Sequence, residues 1–178
     1  MFVTYVMRLT IFLKMNDLRL REMAMEDCSF LNKLRNECIE FLHDSTIFSV
    51  EQTKTWFTTL KTPYYIILQN NEKVGYIRTS NYSLQNHTIY IGCDIVTEKR
   101  KQGIAYKSLS ILIPKLHIDY KINKLYAEIL SYNHASLNLY LKLGFKIENV
   151  KKYHTLKNGK YIDSIVTSLK IYENCLSH

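Results

Sequence analysis

The stretch from Ile89 to Leu116 changes character twice within a few residues, and that change restricts what the chain can become. Ile89-Tyr90-Ile91-Gly92-Cys93-Asp94-Ile95-Val96 has the β-branched, apolar content of a buried strand. Ala105, Leu109, Leu112, Ile113 and Leu116 then recur at helical spacing. Between the two lies Arg100-Lys101-Gln102-Gly103-Ile104-Ala105. A strand that feeds a helix through a tight glycine loop leaves several backbone N–H groups unpaired at the helix start, where the helix dipole adds positive charge. Gly103 keeps side-chain bulk away from that backbone, and Lys99, Arg100 and Lys101 add cations, so the loop suits a phosphate or pyrophosphate. Short glycine loops also precede helices for packing alone, and the loop by itself leaves both readings open.

The rest of the chain alternates in a way that suits a mixed α/β sandwich. A strand is expected near Leu18 to Met23. A helix from about Met25 to Phe41 follows, with Cys28, Leu31, Leu34, Cys38 and Phe41 on one face. Ser49-Val50-Glu51-Gln52 has the form of a capping box, opening a second helix whose expected inward stripe is Trp56, Phe57 and Leu60, with Pro63 as its stop. Tyr64–Gln69 and Lys73–Ser80 read as a hairpin around Asn70-Asn71-Glu72, and the strand ending at Val96 completes an antiparallel meander. Lys124–Leu130 reads as a strand and Asn133–Leu143 as a helix ended by Gly144. Phe145–Leu156 and Lys160–Lys170 form a last hairpin around Asn158-Gly159. Pro114 interrupts the third helix, and an end or kink near Ile113 is expected.

At 178 residues, with 47% apolar and 22% charged residues, the composition fits one globular domain, expected over residues 15–178 behind an extension at 1–14 of unassigned role. The apolar opening is too short to span a bilayer and lacks a cleavage signal, so a cytoplasmic, membrane-free protein is expected. Cys28, Cys38, Cys93 and Cys175 show no metal-ligand spacing and read as reduced packing residues; no metal is called for. The net charge of +8 is spread as single lysines rather than in an arginine-rich tract, which argues against nucleic acid and is compatible with capture of a polyanionic ligand.

Some thirty residues after the glycine loop comes Asn133-His134-Ala135-Ser136-Leu137-Asn138-Leu139-Tyr140, then Gly144-Phe145. With both segments in this order, the chain from about Leu18 to Leu169 resembles the GNAT superfamily of acyl-CoA-dependent N-acetyltransferases. That family's pyrophosphate loop reads Arg/Gln-x-x-Gly-x-Gly/Ala, and its next segment carries an Asn, a Tyr seven residues on, and Gly-Phe. The resemblance implies a GNAT fold, a mixed, mostly antiparallel sheet of about seven strands flanked by about four helices, in a monomer or homodimer. It implies direct transfer of an acetyl group from acetyl-CoA to a primary amine.

It also implies roles for particular residues. Cofactor contacts fall to Ile95, Val96, Arg100, Lys101, Gln102, Gly103, Ile104, Ala105, Tyr106, Asn133 and Asn138, with the N–H near Ile95 facing the thioester oxygen. Tyr140 matches the tyrosine that protonates or hydrogen-bonds the coenzyme sulfur; ordinary packing is its alternative. Asn133 could equally be a plain helix cap. Asp94 and Glu128 are the candidate general bases, each also readable as a polar sheet residue, and His43 beside Asp44 is readable as a base, an acceptor clamp or a solvated surface pair.

Acceptor contacts are assigned to Arg35, Asn36, His43, Trp56, Arg78, Tyr161 and Asp163, a polar and aromatic set that suits an amino-sugar nucleotide. A protein N-terminus stands beside it. A polyamine would want a more acidic lining than 16 acidic against 24 basic residues provide. A catalytically silent coenzyme A-binding module, or a basic nucleic-acid-binding protein on the same fold, is the reading from another class.

Overall fold

The computed structural model describes residues 13–15 and 17–171, which surround one eight-stranded sheet. Its elements are β1 (Leu13–Met15), β2 (Leu18–Glu22), α1 (Cys28–Glu37), α2 (Val50–Phe57), β3 (Tyr65–Gln69), β4 (Glu72–Ser83), β5 (Thr88–Ile95), α3 (Ile104–Tyr120), β6 (Lys124–Leu130), α4 (His134–Lys142), β7 (Lys146–Lys157) and β8 (Lys160–Lys170). The strand order is β1-β2-β3-β4-β5-β6-β8-β7, and every neighbouring pair is antiparallel except β5 with β6. The strand beyond the expected seven is β1, drawn from the margin of the supposed extension; residues 1–12 and Cys175 lie outside the described residues.

β3 shows how the layers form. All of Tyr65 to Leu68 is buried, yet successive side chains serve opposite faces. Tyr65 and Ile67 join Leu109, Leu112 and Leu116 of α3 and Tyr140 of α4 on one side. Ile66 and Leu68 join Cys28, Leu31, Leu34 and Cys38 of the first helical segment on the other.

Local chemistry sets most boundaries. Asn70 and Asn71 both have positive φ (50° and 67°) and close the β3–β4 hairpin at the Gln69–Glu72 pair; Asn158 (48°) and Gly159 (76°) do the same at Lys157–Lys160. Ser49 and Gln52 make the reciprocal capping bonds, at 3.1 Å and 2.8 Å.

Three expectations need correction. The helix foreseen from Met25 to Phe41 is α1 flanked by single 3-10 turns at Met25–Asp27 and Ile39–Phe41. α2 buries Thr53, which takes Asn32 Nδ2 at 2.9 Å, and Phe57 packs against the core as expected, but Trp56 stays 37% exposed against the edge of Tyr64, so the inward side joins a polar tie to one aromatic ring. α3 does not stop near Ile113 but continues to Tyr120 with Pro114 inside it. Proline costs about 3 kcal/mol there, whereas Leu109, Leu112 and Leu116, all fully buried, each return about 2 kcal/mol.

Candidate functional site

The one parallel pairing makes the site. β5 and β6 are paired only at Thr88–Lys124, Ile89–Leu125 and Tyr90–Tyr126; beyond those rungs both strands run on, to Ile95 and Leu130, without further pairing. β5 stays bonded to β4, and Val96 N–H donates to Val74 O (3.0 Å) across the Gly75–Ile95 pair. That bond makes Gly75–Ile95 a pair that exchanges no bonds of its own, so the main-chain groups of Ile95, and by alternation those of Cys93 and Ile91, point away from β4 into the fork. Two of the carbonyls find partners there: Ile91 O accepts from the Tyr140 hydroxyl (3.3 Å) and Ile95 O from Arg100 Nε (3.0 Å).

A cavity of about 640 Å³ occupies the fork and extends to the glycine loop. Gly103 is left-handed (φ 76°), and a Cβ built on it meets nothing within 4 Å. As N-cap of the 17-residue α3 it offers no side-chain acceptor, so the first-turn amides face the cavity. Lys101 also has positive φ (61°). An open left-handed glycine, an uncapped helix start and flanking lysines fit a pyrophosphate, and the fork's unpaired main-chain groups fit an amide-bearing arm.

Ile95, Arg100, Lys101, Gly103, Ile104, Ala105, Tyr106 and Asn133 all line this cavity, with Arg78, Asp94, Glu128 and Tyr140; Val96, Gln102 and Asn138 do not. Arg100 turns inward, its NH2 group reaching Cys38 Sγ at 3.2 Å, and Gln102 Nε2 donates to Glu98 O at 3.1 Å. Asn133 spends its side-chain oxygen capping α4 through Ser136 N–H (3.1 Å).

Electrostatics separates the titratable groups. Burial, with Cys93 and Asp94 close by, pushes the Tyr140 hydroxyl well above its ordinary value against the opposing pull of Arg78, so it remains a proton donor. Burial also raises the Cys93 thiol, with Asp94 adding to it, and pushes Cys38 up to about 11. Neither is an activated nucleophile. Asp94 is bonded to Arg78, whose guanidinium lies over Gly92. Glu128 differs: Oε2 takes Lys151 Nζ at 2.8 Å, while Oε1 is buried with no hydrogen bond.

Around Oε1 sit His43, one of the expected acceptor contacts, and two residues that sequence reasoning missed, His154 and Ser164. His154 Nδ1 is 3.3 Å from it and His43 Nε2 3.7 Å, and both nitrogens lie on the Ser164 hydroxyl, at 3.1 Å and 2.9 Å. Burial lowers His43 below the ordinary histidine value, with His154, Arg78 and Lys151 pushing the same way and Glu128 opposing. The three potential ligand atoms fall within 4.8 Å of one another; Ser164 bonds both imidazole nitrogens, and Lys151 holds the other carboxylate oxygen, Oε2. No local signal marks His154. It lies in the register shift between Lys151, which pairs with Ser164, and Thr155, which pairs with Ile162, and that irregularity brings its ring to the Ser164 hydroxyl.

The remaining acceptor candidates scatter. Arg35 is held by Thr46 O (2.6 Å) and Asp44 (3.0 Å) and stacks on Phe48, and Asn36 Nδ2 donates to Phe48 O (2.9 Å). Both therefore brace the α1–α2 loop. Tyr161 and Asp163 line a second, shallower depression beside Tyr153. That loop is also tied over the cleft: Tyr132 OH donates to Glu40 O, and buried Lys157 donates to Ile39 O and Ser45 Oγ, both at 2.8 Å.

Residues 20–166 match the family model of the acetyltransferase (GNAT) domain, and the chain belongs to that family. It is 26% identical over 109 residues to the ribosomal protein uS5-alanine N-acetyltransferase of Escherichia coli (strain K12), a match that takes in 60% of this chain and 56% of that enzyme's length. The fold is shared with a ribosomal-protein-alanine N-acetyltransferase from Brucella melitensis (TM-score 0.77, 20% identity, 85% of this chain and 99% of that one). It is shared as well with a phosphinothricin acetyltransferase from Sinorhizobium meliloti in complex with acetyl-CoA (TM-score 0.78, 20% identity, 88% and 90%). Relatives of one fold thus carry names for a protein and for a small-molecule acceptor.

Proposed function

We propose that this chain transfers the acetyl group of acetyl-CoA to a primary amine, and that the amine is a protein N-terminus. The observation that carries the reading is the fork itself, a strand pair that separates toward an open helix start, with a buried hydroxyl and an unpaired carboxylate oxygen on its walls. Acetyl-CoA as donor supplies the thioester; the first turn of α3 with Lys101 receives its pyrophosphate, and the inward-facing groups of Cys93 and Ile95 receive its pantetheine amides.

Glu128 Oε1 takes a proton from the acceptor ammonium, freeing the lone pair that attacks the acetyl carbon. The fixed Ile95 N–H faces the developing oxyanion and needs no reorganisation. The carbon–sulfur bond then breaks, and Tyr140 gives its hydroxyl proton to the departing sulfur. Asp94, the other expected base, acts as counter-ion to Arg78.

A peptide acceptor is favoured over an amino-sugar nucleotide because Arg35 and Asn36 are committed to the loop and Trp56 packs on Tyr64, which leaves little to grip a sugar. The name of the uS5-alanine relative points the same way. Thiol release from acetyl-CoA, measured across alanine-headed peptides, amino-sugar nucleotides and polyamines, is the test. Turnover confined to the peptides is expected; turnover confined to a sugar nucleotide would reverse the acceptor assignment, and failure to bind acetyl-CoA would overturn the whole reading.

A further inference from the structure

We propose that His154 carries the acceptor's proton from Glu128 to solvent, with Ser164 and His43 fixing the imidazole tautomer that lets it do so. The inference rests on Glu128 as the base. An unpaired carboxylate oxygen inside a cleft can take one proton, but a second turnover requires that proton to leave, and the other oxygen is blocked by Lys151. The nearest proton acceptor to Oε1 is His154 Nδ1 at 3.3 Å, and the His154 side chain is 41% exposed against 18% for Glu128. It is therefore the more exposed of the two, while Glu128 lines the cleft.

Ser164 has a single hydroxyl proton and touches both imidazoles. If His43 Nε2–H donates to Ser164 Oγ and the serine proton goes to His154 Nδ1 (3.1 Å) rather than to the more distant Thr155 Oγ1 (3.5 Å), that nitrogen is an acceptor and the resting proton lies on Nε2. His43 is suited to the donor end because burial keeps it neutral. The charged groups facing the pair are Glu128, Lys151 and Arg78. The proton passes from the acceptor nitrogen to Glu128 Oε1, then to His154 Nδ1 as the Ser164 hydroxyl turns toward Thr155 Oγ1 (3.5 Å). The imidazolium releases its Nε2 proton to water, and the neutral ring, now protonated on Nδ1, regains the starting tautomer by turning about Cβ–Cγ so that Nδ1–H is lost to water while Nε2 takes a proton, and then turning back. No electrons change hands, and one proton leaves for each amide formed.

The test has two arms on the intact protein. Nitrogen-edited NMR of the imidazoles is expected to show His154 protonated on Nε2 in the wild type, with that preference lost in Ser164→Ala; a wild-type His154 protonated on Nδ1 overturns the proposal whatever the acceptor. In the second arm, with acetyl-CoA and an alanine-headed peptide at low buffer concentration, His154→Ala is expected to turn over roughly 100-fold more slowly than wild type. Added imidazole should raise that rate while leaving the wild type unmoved. Wild-type turnover without buffer dependence in His154→Ala removes the relay. Should that variant melt early, His154→Gln is expected to show the loss without the rescue. Glu128→Gln separates the two readings: if it keeps wild-type turnover the base assignment has failed, and if it is inactive while His154→Ala is not, the relay alone has failed.

Discussion

At the scale of single residues, the cleft is governed by groups whose surroundings hold them in one protonation state. Tyr140 makes one long hydrogen bond, so Tyr140→Phe should cost about 1 kcal/mol of stability. It should lower acetyl transfer by roughly two orders of magnitude with acetyl-CoA affinity kept, a split that calorimetry and thiol release can read together. Because burial raises the hydroxyl, no loss of rate below pH 10 should belong to it. Gly92 makes a different kind of demand. A Cβ there would lie 2.5 Å from Arg78 Nε. The flexible guanidinium yields rather than the sheet, so Gly92→Ala is expected to cost only about 1 kcal/mol in a thermal melt while displacing Arg78 from Asp94 and weakening acetyl-CoA binding.

At the scale of elements, the entry into α1 is fixed by charge. Asp27, fully buried, receives two bonds from Arg21 (2.6 Å and 2.8 Å), Lys73 Nζ (2.7 Å) and Ala24 N–H (2.9 Å). Burial alone would raise its carboxyl, but Arg21, Ala24 and Lys73 together hold it at about 2. Its folded value lies below its unfolded one, so the stabilisation is complete above about pH 4 and is lost as pH falls toward 2, amounting to about 2 kcal/mol. Asp27→Asn should cost about 3–5 kcal/mol at neutral pH and flatten the acid limb of a stability–pH curve.

The elements themselves were legible where a local rule decides them. β6 spans Lys124–Leu130 as its composition implies, and the Asn158-Gly159 turn closes where positive φ is cheapest. α3 does not end at Pro114, one of the two expected outcomes, because the three leucines that outweigh the proline act through the sheet, which residue spacing does not reveal. The site divides the same way. The glycine loop and Tyr140 stand on short-range pattern. The cluster at Glu128 joins residues 43, 128, 154 and 164, brought together by a loop, two strands and a bulge.

On the scale of the whole molecule, the charge excess of 24 basic over 16 acidic residues supplies a field rather than a site. The KM for acetyl-CoA should rise several-fold between roughly 0.05 and 0.5 M salt while kcat holds, since screening reaches the approach of a polyanion and not chemistry inside the cavity. Among the described residues no helix is long and apolar enough to cross a membrane. The loop after α1 belongs to this scale too, since Tyr132, just after β6, and Lys157, at the end of β7, fasten its neighbouring carbonyls at Glu40 and Ile39. Lys157→Met, which keeps the stem and removes the ammonium, should raise the KM of the acceptor more than that of acetyl-CoA and speed amide exchange across residues 39–45.

The fork between β5 and β6 has one more consequence. The binding capacity proposed for it rests on rungs that the ladder leaves out after Tyr90 and Tyr126, and so on the main chain rather than on any one side chain. A chain selected only for resistance to heat would gain by zipping those strands shut, completing the sheet at the expense of its use. Stabilised variants that lose coenzyme A binding with every cleft residue intact are therefore the expected failures of any attempt to harden this protein.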